Sequence, residues 1–514
     1  MTITSPAAGA PPGRPSAGHR ARRLGIDTGR EAVVYLHRDS PVVHSEGFDS
    51  ATRITVRCHG RRILATLSVV TGPLLAPDDA GLSEAAWSRL GVAEGQPVEL
   101  AHSLPLDSLR YVRAKTFGAR LEAAALSAVV TDIAGALYSD IHIASFITAC
   151  AGDRLDLREI KDLTVAMLGA GERLRWQYAP VMDKHCVGGL PGNRTSLVIV
   201  PIVAAAGLVM PKTSSRAITS PAGTADAMET LAPVDLDREA MRRVVEREGG
   251  CIVWGGKARL SPADDVLIRV ERALDLDSVG QLVASVLSKK AAAGATHVVV
   301  DVPVGLTAKI RSPAEADRLT SHLRDVGRVV DLEVLPLVTD GSQPVGRGLG
   351  PALEARDALA VLRGEPGAPA DLRERALFLA GYLLELGGAT PAGNGQSIAR
   401  AILAEGAAWR KFQAICEAQG GMREPPRARF TRPVLAPRAG QVCAIDNRRL
   451  ARVAKLAGAP RDAGAGLELH TRVAQQVTAG EPLFTVHAAA PGELEYALAY
   501  AAQAGEIIQL AETP

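Results

Sequence analysis

Lysine, histidine, glycine and hydroxyl residues crowd into one stretch of this chain, from Asp183 to Asp226. Lys184 and His185 precede a small-residue loop, Cys186-Val187-Gly188-Gly189-Leu190-Pro191-Gly192-Asn193. That loop delivers Arg194-Thr195-Ser196 to an apolar segment, Leu197 to Leu208. Lys212 precedes a second loop, Ser214-Ser215-Arg216-Ala217-Ile218-Thr219-Ser220, closed by Ala222-Gly223-Thr224. Glycine lets backbone approach a ligand closely, and hydroxyl side chains are short donors. A helix opening just after such a loop turns free N–H groups and a positive dipole end toward whatever sits there. The pattern is that of a cradle for an oxyanion, phosphate above all. One glycine-rich turn is ordinarily only a turn, and Ser/Thr clusters ordinarily cap helices. Two loops in close succession, each flanked by basic residues, weigh toward the anion. Neither loop spells GxxxxGK[ST] or GxGxxG, so the common nucleotide motifs do not apply.

Composition sets the frame for that cradle. The chain has 514 residues, enough for several domains with ample core. A formal charge of +2 gives no general attraction to nucleic acid or membrane surfaces. The six cysteines form no CxxC pair and no metal-ligand spacing, which fits reduced thiols in a cytoplasmic protein. No apolar run free of Gly or Pro is long enough to span a bilayer.

The motif Lys184-His185-x-x-Gly-Gly, with Pro211-Lys212 through Ser215-Arg216 to Gly223-Thr224-x-Asp226-x-x-Glu229, resembles the thymidine (pyrimidine nucleoside) phosphorylases. It is closer still to their long-chain relatives, which include the AMP phosphorylases. The resemblance continues in family order over roughly residues 106 to 514. It implies phosphorolysis: inorganic phosphate attacks the anomeric carbon of a nucleoside or nucleotide while the base leaves. Lys184, Gly189, Ser196, Ser214 and Thr224 match the family's phosphate positions. Arg269, Ser285 and Lys289 match its base-binding positions, although read as residues alone Lys289 and Lys290 are a solvated helix end. Ser215, Arg216, Thr219, Ser220 and Lys309 match positions of the nucleotide-using relatives. Asp277, eight residues before Ser285, matches the proton donor proposed for the AMP enzymes. For the leaving base, Arg269 can supply positive charge, and His185 or Asp277 a proton or strong hydrogen bond.

The elements that must position these groups are legible in outline. The expected fold is multidomain α/β. A disordered tail (1–22) precedes a β-rich N-terminal domain (23–105) with a hairpin turn at His59-Gly60. A helical lobe (106–178 and 261–292) carries a capping box at Asp156 and Glu159. A larger α/β lobe with a mostly parallel sheet (179–260 and 293–427) has a strand ending at Met182-Asp183 and another over His297 to Val304. A C-terminal α+β lobe covers 428–514. In such sheets ligands bind beyond the carboxyl ends of the strands. Thymidine leads as substrate, with a nucleoside 5′-monophosphate such as AMP nearly level. No metal or cofactor is expected, with phosphate as co-substrate; the partners are small molecules, not nucleic acid or membrane, with a homodimer or higher homo-oligomer implied. Two other readings stay open. A phosphoribosyltransferase would need a magnesium-binding carboxylate pair near the loops, and none is present there. An inactive phosphate-binding regulator draws support from Cys186, where many relatives have serine.

Overall fold

The computed structural model describes residues 18–217, 220–256, 260–276 and 278–511. These fall into two compact units: one of the described residues up to Arg113 with Asp132–Ser145, the other of Ala114–Thr131 and the chain from Phe146 onward.

In the first unit six strands close into a barrel: His19–Arg23, Val33–His37, Arg53–Cys58, Arg61–Val70, Asp79–Leu82 and Pro97–His102. Alternation decides which side chains fill it. Ile54, Val56 and Cys58 are buried while Arg57 faces water. His59 and Gly60 both take positive φ (46° and 76°), which turns the chain between the third and fourth strands. The first strand corrects the expectation of a tail to residue 22. Ala21 is fully buried, and the strand pairs with Asp79–Leu82 on one side and Val98 on the other. Its arginine-rich wording hid a strand whose single small apolar residue points inward.

The second unit holds the site. Strand Glu333–Asp340 pairs with His297–Val304, which pairs with Met182–Cys186, all parallel. A parallel bridge between Val181 and Val209 carries the order on to Met210–Ser214 and its parallel partner Gly250–Trp254. The sheet is therefore parallel throughout, and every strand delivers its carboxyl end to the same edge. Helix Thr195–Ala205 is buried along its whole length except for its last residue, as its continuous apolar wording requires. It packs with Leu377, Leu384, Phe412 and Ile415 in one core beneath the sheet.

Helix Leu157–Gly169 opens with the expected capping box, Asp156 accepting from the Glu159 N–H and Glu159 returning to the Asp156 N–H. The 261–292 stretch forms two helices, Pro262–Leu274 and Val279–Ala292, with Asp275 between them in the left-handed conformation (φ 50°). Gly280 lets the second come close to its neighbour; a Cβ there would stand 3.1 Å from Ile160 and Leu155. Beyond residue 428, two antiparallel sheets, one of them joined by Gly348–Leu349, and helices Asn447–Leu456 and Pro491–Gln503 enclose a separate core around Leu450, Val453, Leu467 and Phe484.

Candidate active site

The strand at Met182–Cys186 runs farther than its wording predicts, so Lys184 and His185 lie on the sheet and not on the loop. Lys184 is 1 % exposed. Its Nζ donates to Thr195 Oγ1 at 2.8 Å and stands 3.8 Å from Asp301 Oδ2 on the adjacent strand. Burial lowers its pKa while Asp301 works in the opposite sense. Burial likewise pushes Asp301 up, but Lys184, Arg375 and hydrogen bonds from Thr339 and Asn193 bring it below the usual carboxylate range. Asn193 also donates to Cys186 Sγ at 3.4 Å. Burial pushes the Cys186 thiol up to about 11, so it stays protonated at neutral pH.

The first loop turns at Gly189 (φ 78°), where a Cβ would meet the Lys309 backbone nitrogen at 2.3 Å. Only glycine allows that approach. It brings the loop against residues that follow a strand more than a hundred positions away. The second loop folds equally tightly: a Cβ on Gly223 would lie 2.6 Å from the Ser215 carbonyl oxygen. Arg194 joins the two loops. Its guanidinium binds Glu354 through Nε, Thr224 Oγ1 at 3.0 Å and the Ala222 carbonyl at 2.9 Å. Burial raises Glu354 to about 7, opposed by Arg194 and the Gly350 N–H.

Behind the loops lies a second charged cluster. Asp183 meets Lys212 at 3.3 Å and Lys290 at 2.8 Å. Lys290 is 2 % exposed, which overturns its reading as a solvated helix end. The helical period hid this, because Lys290 lies on the inner face and its partner comes from the sheet. Burial, with Lys290, Lys289, Lys212 and Lys184 around it, holds His185 well below the usual histidine range. A neutral imidazole can donate a hydrogen bond, but it carries no spare proton near pH 7.

Lys184, His185, Cys186, Asn193, Arg194, Lys212 and Thr224 line a cavity of about 240 Å³ beyond the carboxyl ends of the strands. Among the described residues, seven Lys or Arg side chains face it against Glu271 and Asp275 alone, so its field favours an anion. Residues 178–409 match the glycosyl transferase family a/b domain, and residues 441–507 the pyrimidine nucleoside phosphorylase C-terminal domain. A protein of Polaromonas sp. (strain JS666) named "Putative thymidine phosphorylase" is 63% identical, over 96% of this chain and 96% of its own. "Putative thymidine phosphorylase 2" of Acidovorax sp. (strain JS42) is 61% identical over 96% of this chain and 97% of its own. The Legionella pneumophila (strain Paris) protein of the first name is 57% identical over 97% and 96%. The chain belongs to the pyrimidine nucleoside phosphorylase family.

It is thus a pentosyltransferase of the phosphorylase type. Its α/β fold is also that of anthranilate phosphoribosyltransferase from Thermus thermophilus (TM-score 0.51, 22% identity, 60% of this chain and 98% of that one).

The phosphorylase cavity brings together most of the residues singled out from the sequence. Lys184, His185, Gly189, Ser196, Ser214, Ser215, Arg216, Ser220, Thr224, Ser285, Lys289 and Lys309 all line it. Asp277 and Thr219 lie outside the described residues. Arg269 is the exception. Ile268, Glu271, Arg272 and Asp275 form the lining face of helix Pro262–Leu274, and Arg269 lies about 100° round from Ile268. Arg272 occupies the wall where Arg269 was expected. Arg216 reaches the cavity but is already engaged, bound by Glu229 at 2.9 Å and Asp226 at 3.2 Å and lying over the Trp254 ring. Lys289 pairs with Asp264 at 2.7 Å, on the first turn of the neighbouring helix. Reading the sequence missed Arg194, Glu354, Asp301 and Arg272. Arg194 stood beside Thr195-Ser196 in the first loop, but nothing local marked its carboxylate partner 160 residues away.

Proposed function

We propose that the chain is a thymidine-type phosphorylase, converting thymidine and phosphate to thymine and 2-deoxyribose 1-phosphate. The observation that carries this reading is one cavity with two unlike walls. Lys184, Ser196, Ser214 and Thr224 line one side, and Ser285 and Lys289 line the helical side. Phosphate held by the first group attacks C1′ with one oxygen. The C1′–N1 bond breaks, and its electron pair leaves with the base. Lys184 and the hydroxyls fix the nucleophile as an anion, so attack is effectively unimolecular. The pyrimidine leaves as an anion stabilised by Lys289, with Arg272 as the second cation on that wall. His185 contributes a hydrogen bond from its neutral form. No metal or other cofactor takes part in this scheme. A cytoplasmic homodimer belongs to the same reading; among the described residues no helix is long and apolar enough to cross a membrane.

A nucleoside 5′-monophosphate is the second reading. Lys309, Ser215 and Ser220 line the same cavity and exceed what one phosphate needs. With AMP the products would be adenine and ribose 1,5-bisphosphate, and Asp277 would be the group that protonates the leaving purine. Phosphate-dependent release of free base from thymidine, uridine, AMP and CMP, measured side by side, decides between them. Preference for thymidine or uridine supports the first reading; preference for AMP or CMP replaces it with the second. Failure to turn over any of the four would remove both.

A further inference from the structure

We propose that Arg194, anchored by Glu354, is a positioning residue that orients the Thr224 hydroxyl to donate its proton to the phosphate. This rests on the reading of Thr224 as part of the phosphate cradle. A threonine hydroxyl has one proton to give and two lone pairs, whereas a guanidinium can only donate. Arg194 Nη1 donates to Thr224 Oγ1 at 3.0 Å. The hydroxyl is therefore the acceptor in that bond, and its proton must go elsewhere. Among the described residues Thr224 Oγ1 makes no other hydrogen bond, and the side chain lines the cavity. The O–H is left for a ligand that accepts.

Three further observations fix the guanidinium in this task. Nε is bound by the Glu354 carboxylate, whose other oxygen accepts from the Gly350 N–H at 3.1 Å. Nη2 is held by the Ala222 carbonyl at 2.9 Å, in the turn that presents Thr224. Glu354 is fully buried and Arg194 nearly so, so water competes little for the bond between them. The plane of the arginine is thus set by groups on both sides, and the hydroxyl is oriented before the anion arrives. Arginine is required because a lysine, with one nitrogen, cannot reach carboxylate, carbonyl and hydroxyl in that fork.

The test is a double-mutant cycle read by phosphate binding and by kinetics. Phosphate affinity is taken from the rise in unfolding temperature with inorganic phosphate, which also reports whether each variant folds. Thr224→Val and Arg194→Met should each weaken phosphate about tenfold, with the nucleoside KM little changed. Combined, they should be no worse than Thr224→Val alone, because Arg194 acts through the hydroxyl. Thr224→Ser should restore binding. If Arg194→Met does not fold, Arg194→Lys keeps a cation beside Glu354 and should show the same loss, again absent in the Thr224→Val background. Losses that multiply would mean Arg194 touches phosphate itself and overturn the proposal. Normal phosphate binding in Arg194→Lys would do the same. Normal binding in Thr224→Val would instead remove Thr224 from the cradle, and the proposal with it.

Discussion

The two walls of the cavity are built on different principles. On the wall proposed to hold phosphate, Lys184, Arg194, Thr195, Asp301 and Glu354 are buried and bonded in two clusters, Lys184 with Thr195 and Asp301 and Arg194 with Glu354. On the helical side, Lys289 has one carboxylate partner and is 25% exposed, and Arg272 is exposed. Inorganic phosphate has one shape and is an anion at any working pH, so its donors can be locked before it binds at no cost in versatility. Bases differ in outline and in where charge appears on departure, and a wall of half-exposed side chains on two helices can adjust to them. The lesson is that rigidity follows the invariant reactant. Preorganised donors act most strongly where water is excluded, which is the wall proposed for phosphate.

That contrast can be broken first at Lys184. Lys184→Ala should weaken phosphate at least tenfold, since a charge-assisted contact contributes about 1.5–3 kcal/mol. It also takes from Asp301 the larger of its two cationic influences, Arg375 being the other, and opening a buried pair costs roughly 3–5 kcal/mol of stability. Phosphate KM and denaturant midpoint should therefore move together; an unchanged phosphate KM would take the anion away from this wall. Lys289→Ala should act on the other wall alone. A nucleoside KM or kcat poorer by about tenfold is expected, with phosphate KM unchanged and some loss of stability, because Asp264 is buried and loses its cation. Equal damage to phosphate KM would erase the distinction between the walls.

Lys309→Ala is a finer probe. It should leave thymidine cleavage near normal and weaken a 5′-monophosphate substrate severalfold, since only the latter offers a second anion. Equal losses with both substrates would remove Lys309 from that assignment. The smallest effect concerns His185 and pH. Its folded pKa lies well below 6.5, so below that pH the unfolded chain takes up a proton that the folded chain refuses. Stability is then lost as pH falls through 6.5, by at most about 1.4 kcal/mol per pH unit from this one group. His185→Gln should flatten that acid-side slope between pH 6.5 and 5 in denaturant titrations. A slope unchanged from the parent chain would mean that His185 protonates normally.

Much of the site was legible because its chemistry is local. The glycines, hydroxyls and basic residues of 184–224 suggest an anion cradle by type and spacing and do line one cavity, and Lys289 and Ser285 share a helical face at i, i+4. Other features were not local. Arg269 and Arg272 stand on one helix, and only the direction in which that helix packs decides which of them faces the cavity. Lys290 looks like a solvated end until the sheet supplies Asp183.

By itself, the sequence determined the parallel α/β sheet, the glycine loops at its carboxyl edge and the resemblance that names the reaction class. These rest on periodicity, on glycine's freedom at positive φ and on wording that neighbouring residues share. Only the tertiary structure decided that Lys184 sits buried on a strand, that Arg194 closes onto Glu354 and Thr224, and that Gly189 meets Lys309. Each joins segments far apart in the chain. Their burial and electrostatics arise from the partner segment, which no local pattern encodes.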